Sequence, residues 1–190
     1  MSNRFIICGA SRSGKSALAR RLQKKLEISW ILGDAIVSGL EDAFHDLGIS
    51  HQGDLSHIGD MLTNYIKFLL WHYDYAGCGY VFDSTHLYPR HVLNIREKIG
   101  AVPAVFLFYA EADPKQKLLE IRRFDPAQNW WTAELSDNEL MQVIHDQINK
   151  SRELSESCAD FDIPYIEVSQ DFELALEKAE RILGVGAVQR

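Results

Sequence analysis

The chain has 190 residues, of which 46% are hydrophobic and 25% are charged. This is the composition of an ordinary folded protein, and it excludes a disordered or fibrous chain. Twenty lysines and arginines against 27 aspartates and glutamates leave a formal net charge of -7, which argues against bulk nucleic-acid binding.

Short apolar runs alternate with helical periodicity through the first half of the chain. The predicted elements are, in chain order, a strand at 4–8, a helix carrying Leu18, Leu22 and Leu26, a strand at 30–32, a helix at about 35–47, a long amphipathic helix at 55–73 and a strand at 80–82. Gly77 and Gly79 end the long helix.

The second half continues this alternation. Its predicted elements are a helix that begins at Pro89 and ends before Gly100, a strand at 104–109, a helix opened by Asp113 and Pro114, a helix at about 137–159, a strand at 164–168, and a closing helix carrying Phe172, Leu176, Ala179 and Leu183. Residues 124–136 have no clear period, and we interpret them as part of a compact lid.

The order of these elements predicts an α/β fold. We expect about five strands in a doubly wound parallel sheet of three layers, with helices on both faces. Ligands bind such sheets beyond the carboxyl ends of the strands. We interpret residues 1–190 as a single domain, with a substrate-binding helical region at about 35–75 and a short lid at about 122–137.

The cysteines and the apolar runs indicate the compartment. Cys8, Cys78 and Cys158 are an odd number without metal-ligand spacing, so we expect free thiols, as in a reduced compartment. The most apolar run, residues 101–110, is much shorter than the ~20 residues of a membrane span. We therefore expect a cytoplasmic protein that is not inserted in a membrane, whereas its oligomeric state is open.

The most specific motif lies between the first predicted strand and helix. It matches the pattern Gly-x-x-x-x-Gly-Lys-Ser/Thr in full, with the residues Gly9, Ala10, Ser11, Arg12, Ser13, Gly14, Lys15 and Ser16. Backbone N–H groups of such a loop surround phosphate oxygens, Lys15 would reach the β and γ phosphates, and Ser16 would offer its hydroxyl to Mg²⁺. Arg12 either contacts phosphate or is solvated. The motif predicts a P-loop NTPase fold that binds ATP and Mg²⁺.

The strand predicted at 80–82 has the form of a Walker B strand, an apolar run that is followed by a carboxylate. Residues 79–82 lead to Asp83, which would hold Mg²⁺ through water; the alternative is a surface aspartate that caps the turn at Ser84 and Thr85. Ser84 stands where nucleotide-hydrolysing machines commonly have a glutamate, and the guanine signature Asn-Lys-x-Asp is absent from the sequence. Both absences favour a kinase over a motor or a GTPase. His86 is the one histidine beside a motif.

Three further residues are candidates for catalysis. Asp34, after the second strand, either accepts a proton from an acceptor hydroxyl or caps a helix. Arg122 and Arg123 adjoin the predicted lid, from which a guanidinium would stabilise charge on the transferred phosphoryl group. Adjacent helical residues point about 100° apart, so we expect one of the two to act and the other to be solvated. Arg152 is a further candidate for the same role.

These residues resemble those of the adenylate-kinase-like group of P-loop kinases, over most of the chain. Gly33 and Asp34 look like the Gly-Asp that starts the nucleoside-monophosphate region of adenylate kinase, and Arg122 and Arg123 fall where that family carries lid arginines. Adenylate kinase has an arginine three residues after that aspartate, whereas this chain has Val37. This departure argues against AMP as the acceptor.

The segment after Asp83 carries a second part of the resemblance. Asp83 with Pro89 and Arg90 looks like a lengthened form of the family's Asp-Gly-aromatic-Pro-Arg, and residues 83–89 are also similar to a segment of kinases for small phosphorylated or hydroxylated acids. The resemblance implies an ATP-dependent kinase whose acceptor is a nucleoside, a nucleotide or another small hydroxylated molecule. The alternative is an ATP-binding regulatory module or slow NTPase without an acceptor. A pocket lined by Asp34 and the helices between residues 36 and 65 would favour the kinase.

Overall fold

A computed structural model describes residues 3–51, 53–124 and 130–185. All five of its strands are parallel and belong to one sheet. The strands are β1 (Arg4–Gly9), β2 (Ser29–Leu32), β3 (Tyr80–Ser84), β4 (Ala104–Phe108) and β5 (Tyr165–Glu167). Their spatial order is β2-β3-β1-β4-β5, so β1 and β3 lie in the interior of the sheet, side by side.

Helices cover both faces of this sheet. They are α1 (Lys15–Leu26), α2 (Gly33–Ala43), α3 (Leu55–Ala76), α4 (Pro89–Ile99), α5 (Pro114–Phe124), α6 (Trp130–Ala133), α7 (Asp137–Asp160) and α8 (Phe172–Ile182). One buried cluster joins the sheet to α1, α8 and the first half of α7, and a second joins it to α3, α4 and the second half of α7. The predicted three-layer, doubly wound α/β fold is confirmed.

The central strands are buried on both faces. Every residue of β3 and of β4 is buried, which is why residues 104–108 read as an uninterrupted apolar run rather than an alternating one. In β1, the four residues from Phe5 to Cys8 are buried as well. The polar residues that end β3, Asp83 and Ser84, are therefore buried as well, at the carboxyl edge of the sheet.

Several predicted boundaries were wrong by a few residues. The helix predicted at 35–47 begins at Gly33 and ends at Ala43, and a separate 3₁₀ turn covers His45–Leu47. Phe44, between the two, has an extended φ of -139°. Phe44 and Leu47 are both exposed, so no packing against the core extends the α-helix to them. The strand predicted at 80–82 continues to Ser84, which places Asp83 inside β3.

The remaining expectations concern the thiols, the membrane and the lid. Cys8 and Cys158 are buried, Cys78 is exposed, and all three are free thiols as predicted. In the part of the chain that the structure describes, none of the helices has the length and apolarity needed to cross a membrane. Of the predicted lid, α6 is described, while residues 125–129 lie outside the described residues.

Candidate active site

The P-loop connects β1 to α1 at the carboxyl edge of the sheet. Gly14 occupies the N-cap position of α1 with a left-handed φ of 91°, and among the described residues no side chain caps this helix. The N–H groups of the first helical turn have no partners within a helix, and they carry its positive dipole end. The start of α1 is therefore suited to an anion such as phosphate.

Both glycines of the motif are also required by close packing. Gly9 has a φ of 127°, and a Cβ atom there would lie 2.0 Å from the carbonyl oxygen of Leu107 in β4. At Gly14 a Cβ atom would lie 2.4 Å from the ring of Phe172. The Ala10 N–H donates to the same Leu107 oxygen at 3.2 Å, which holds the loop against β4.

Lys15 lies across the loop that it follows. Its buried Nζ donates to the Ala10 carbonyl oxygen at 2.7 Å. From α7, the Gln147 Oε1 atom accepts the Ser11 N–H at 3.0 Å, so the middle of α7 covers the tip of the loop. These contacts hold the P-loop in a defined shape, with the Lys15 charge inside it.

Ser16 and Asp83 meet beside the loop. The Ser16 hydroxyl donates to the Asp83 Oδ2 at 2.8 Å, because β3 lies next to β1 and its register places Asp83 opposite Ile7. Asp83 is only 4% exposed, so the alternative of a surface aspartate capping the turn is wrong; the Ser84 hydroxyl caps it by accepting the His86 N–H at 3.0 Å.

The electrostatics of Asp83 suit a cation beside it. Burial raises the pKa of Asp83, and the Lys15 charge and the Ser16 hydrogen bond offset this only in part. A hydroxyl oxygen and a carboxylate oxygen side by side are ligands of the kind that Mg²⁺ prefers. The two residues present at this point therefore fit Mg²⁺.

Asp34 lies in the first turn of α2, after β2 and across the edge from the P-loop. Its Oδ1 accepts three hydrogen bonds, from the Thr85 N–H at 3.3 Å, the Thr85 hydroxyl at 3.0 Å and the His86 Nδ1 at 3.2 Å. The alternative that Asp34 caps the helix is wrong, since the N-cap residue is Leu32.

These contacts keep Asp34 ionised. Burial alone would raise the pKa of Asp34, but the His86 hydrogen bond, the Lys15 charge and the Thr85 backbone together hold it well below the usual range of an aspartate. A carboxylate can only accept, so His86 donates from Nδ1. The His86 ring in turn packs 5.1 Å from the ring of His51, centre to centre.

A second lysine approaches the site from α7. Lys150 lies with its Nζ 5.7 Å from the centre of the Tyr88 ring. Burial lowers the pKa of Lys150 and the nearby Lys15 lowers it further, while Asp34 and Glu153 act in the opposite direction. The site therefore contains two lysines and two aspartates that act on one another.

The predicted arginines have other partners. Arg122 donates from Nε to the Asp137 carboxylate at 3.0 Å, from Nη1 to the Thr132 carbonyl at 2.8 Å and from Nη2 to the Leu135 carbonyl at 2.6 Å. Arg12 donates to the Thr132 hydroxyl, and Arg123 lies over the Phe124 ring at 5.5 Å. Arg122 and Arg12 thus hold α6 and the chain after it, on the lid side of the P-loop.

A cavity of about 450 Å³ opens beyond Tyr88. It lies between the starts of α3 and α4 and the end of α7, and it is lined by Leu55, Ser56, Tyr88, Arg90, Ser157 and Phe161. Asp34 does not line it, so this cavity is not the pocket of Asp34 and residues 36–65 that would favour the kinase. Tyr88 lines this cavity, and its ring also contacts the Lys150 ammonium group.

Sequence reasoning missed Thr85, Gln147 and Lys150. Thr85 and His86 had a usable signal, because they directly follow the Walker B strand and must lie at the same edge of the sheet. No signal in the sequence marked Gln147 and Lys150, because they lie in the middle of a long helix and next to no motif. Their place depends on α7 packing with Ile144 on one face of the sheet and with Leu154 on the other, so that its middle passes the P-loop.

Solved structures of small-molecule kinases share this fold. A shikimate kinase from Bacteroides thetaiotaomicron is 15% identical with a TM-score of 0.61, covering 95% of this chain and 98% of that one. A gluconokinase from Sinorhizobium meliloti is 15% identical with a TM-score of 0.57, covering 96% and 91%. A shikimate kinase from Acinetobacter baumannii in complex with shikimate is 16% identical with a TM-score of 0.56, covering 98% and 96%. The resemblance to P-loop small-molecule kinases is confirmed for the fold.

Comparisons by sequence find no such likeness. No protein-family model matches the chain, and no curated protein matches it.

Proposed function

We propose that this chain is an ATP-dependent kinase that transfers the γ-phosphoryl group to a hydroxyl of a small molecule. The acceptor would be a nucleoside, a nucleotide or another small hydroxylated compound. The observation that most supports this is the Asp34 carboxylate, which is half-exposed, ionised and oriented by Thr85 and His86 beside the P-loop lysine. An ATP-binding module without a phosphoryl acceptor does not need a carboxylate at this place.

The nucleotide side of the reaction would be carried by the P-loop. Residues 9–16 would bind the phosphates of ATP through backbone N–H groups, and Lys15 would exchange the Ala10 carbonyl for a phosphate oxygen. Ser16 and Asp83 would hold Mg²⁺, which supplies positive charge against the phosphate oxygens when it is bound. Lys150 would add a second cation on the side facing Asp34.

Asp34 would hold the acceptor hydroxyl. It accepts a hydrogen bond from this hydroxyl and finally its proton, as the acceptor oxygen bonds to the γ-phosphorus and the bond from that phosphorus to ADP breaks. The low pKa of Asp34 makes it a weak base, which is sufficient where the transition state is loose and the proton leaves late. Asp34 therefore contributes mainly by orienting the hydroxyl.

The cavity beyond Tyr88 would hold part of an acceptor that extends past Tyr88 to Asp34, which does not line the cavity itself. Its volume of about 450 Å³ lies in the range of small-molecule sites, and Ser56, Arg90 and Ser157 give it polar groups. Arg122 and Arg123 remain predicted transition-state residues. For Arg122 this role requires that the guanidinium leave its partners around α6.

The proposal is tested by Asp34→Asn. Nucleosides, nucleotides, sugars and hydroxy acids are first screened for acceptor-dependent ADP release by the parent protein. With the acceptor so found, Asp34→Asn should lower this turnover by roughly 10²–10⁴-fold, because a neutral amide holds the acceptor hydroxyl less firmly than the carboxylate does and cannot take up its proton. ATP affinity and ADP release without acceptor should stay at parental values.

Asp42→Asn is the matched control, since Asp42 is exposed on the same helix. It should leave both rates unchanged. Parental acceptor-dependent turnover in Asp34→Asn would contradict the role of Asp34. A parent that releases ADP at one slow rate with every acceptor would instead favour the alternative, a slow NTPase or regulatory module.

A further inference from the structure

The outward face of α3 carries a stripe of exposed aromatic side chains. Tyr65, Phe68, Trp71 and Tyr75 are 38%, 58%, 69% and 94% exposed. They recur at spacings of three and four residues, so they lie along one side of the helix, with Tyr65 at its edge, where its ring is 6.3 Å from that of the buried Phe82. The opposite side of the same helix, which includes Ile66, is buried in the core. We name these four residues the α3 stripe.

This pattern is not that of an ordinary surface helix. The exposed side of an ordinary surface helix is polar, whereas on α3 these large aromatic side chains stand among the exposed polar residues Asn64, Lys67 and His72. Aromatic side chains bury 150–250 Å² each, so the exposed part of the α3 stripe amounts to roughly 500 Å². Exposed apolar patches of this size that are bordered by polar residues commonly mark an interaction surface.

We propose that the α3 stripe is the contact surface of a homodimer, in which α3 packs antiparallel against α3 of a second copy. This inference does not depend on the kinase proposal. Two copies of the stripe would remove about 1,000 Å² from water, which is the lower limit of a specific interface before any contribution from the rim. Tyr, Trp and Phe are also the residues enriched in the cores of such interfaces.

The order of side chains along α3 favours a second copy as the partner. A twofold axis through Phe68 would bring Tyr65, three residues before it, against Trp71 of the other copy, three residues after it. Tyr75, seven residues after Phe68, would meet Met61, which borders the stripe and packs in part against the core. Each pairing joins an aromatic ring to a ring or a thioether, and both are favourable contacts. The stripe is thus complementary to itself, as a twofold contact requires.

The first test is the mass of the protein in solution. At micromolar concentrations the parent should sediment at twice the monomer mass of 21.7 kDa. Phe68→Glu should weaken the dimer at least ~100-fold, because two carboxylates would face each other on the axis at the centre of the interface. Leu119→Glu is the matched control, since Leu119 is 70% exposed on α5, and it should leave the dimer intact.

A second pair of variants tests the antiparallel arrangement. Trp71→Glu alone should dissociate the dimer, while Tyr65→Lys combined with Trp71→Glu should recover much of the association, since the two new charges face each other across the axis. Circular dichroism shows that each variant remains folded. A parent that is monomeric at all concentrations, a dimer that survives Phe68→Glu, or a double variant that stays as dissociated as Trp71→Glu would overturn the proposal.

Discussion

Asp34 is the residue whose surroundings differ most from those of an ordinary surface aspartate. One of its oxygens accepts from Thr85 twice and from His86 once, and the Lys15 charge acts on it as well. Asp83 is a second carboxylate near Asp34, and the negative charge of Asp34 raises the pKa of Asp83. The lowered pKa means that the folded state favours the ionised carboxylate. The resulting stabilisation is present above the ordinary pKa of an aspartate and is lost as the pH falls through the lowered one.

His86→Ala should therefore raise the pKa of Asp34. The substitution removes the strongest contribution that lowers this pKa, while burial, which raises it, remains. The carboxyl ¹³C shift of Asp34, followed as a function of pH without ligand, measures the change directly. The acid limb of acceptor-dependent turnover should move to higher pH in the same variant.

His86→Asn separates this effect from loss of packing. The asparagine amide retains a donor for Asp34, so the pKa of Asp34 should return most of the way to the parental value. An Asp34 titration that is the same in the parent and in His86→Ala would show that His86 only fills space.

At the scale of secondary structure, α3 and α4 are joined through a glycine and a histidine. A Cβ atom on Gly59 of α3 would lie 2.1 Å from the ring of His91, which is completely buried. The His91 Nδ1 accepts the Tyr88 N–H at 2.9 Å, so the ring is held at the start of α4. Burial, aided by the Arg90 charge, lowers the pKa of His91 to about 4 against the opposing effect of Asp60, and the ring is neutral at pH 7.

Gly59→Ala and Gly39→Ala should change stability in opposite directions. Both glycines lie in helices, where alanine is intrinsically better by about 1 kcal/mol. Among the described residues, no atom beyond the adjoining backbone lies within 4 Å of a Cβ atom on Gly39, so Gly39→Ala should raise the free energy of unfolding by up to about 1 kcal/mol. Gly59→Ala should lower it by about 1–3 kcal/mol, because the buried His91 ring must move.

Urea unfolding of the two variants and the parent measures this difference. Equal stabilisation by both substitutions would show that His91 moves aside at no cost and that the α3–α4 contact is loose.

At the scale of the whole molecule, α7 connects the two cores and the P-loop. Its first half belongs to the buried cluster that includes α1 and α8, its second half belongs to the cluster that includes α3 and α4, and Gln147 between them bonds to Ser11. A ligand at the P-loop is therefore in contact with an element that spans both faces of the sheet. We expect ligand binding to stabilise the whole fold rather than the loop alone.

MgATP at about 100 times its Kd should raise the unfolding free energy by ~2.7 kcal/mol. For a chain of this length that corresponds to a rise in Tm of roughly 5–10 °C. Lys15→Ala should lose most of the rise, since it removes the charge that holds the phosphates. Asp83→Asn should keep the rise produced by ATP alone and lose the increment produced by Mg²⁺.

Scanning calorimetry of the parent and the two variants measures these shifts. An unchanged MgATP shift in a folded Lys15→Ala protein would contradict nucleotide binding at the P-loop. An unchanged Mg²⁺ increment in Asp83→Asn would remove Asp83 from the proposed metal site.

The sequence by itself determined the α/β fold and the position of the P-loop. The apolar periods of the strands and helices are local, and residues 9–16 are contiguous, so neither depends on how distant segments meet. The same reasoning predicted Asp34 and Asp83 at the carboxyl edge, because strands of a parallel sheet end on one side. Local periodicity was least reliable near Phe44, where the end of α2 depends on what the core can bury.

Only the tertiary structure decided which side chains meet at that edge and which remain uncovered. Thr85 and His86 reach Asp34 from 51 and 52 residues away, and Lys150 reaches the site because α7 crosses between two cores. In the sequence, the exposed aromatic residues of α3 look like part of an ordinary amphipathic helix. An aromatic residue does not indicate by itself whether its side chain will face the core or the solvent. Such contacts depend on packing between segments distant in the chain, and no local pattern specifies them.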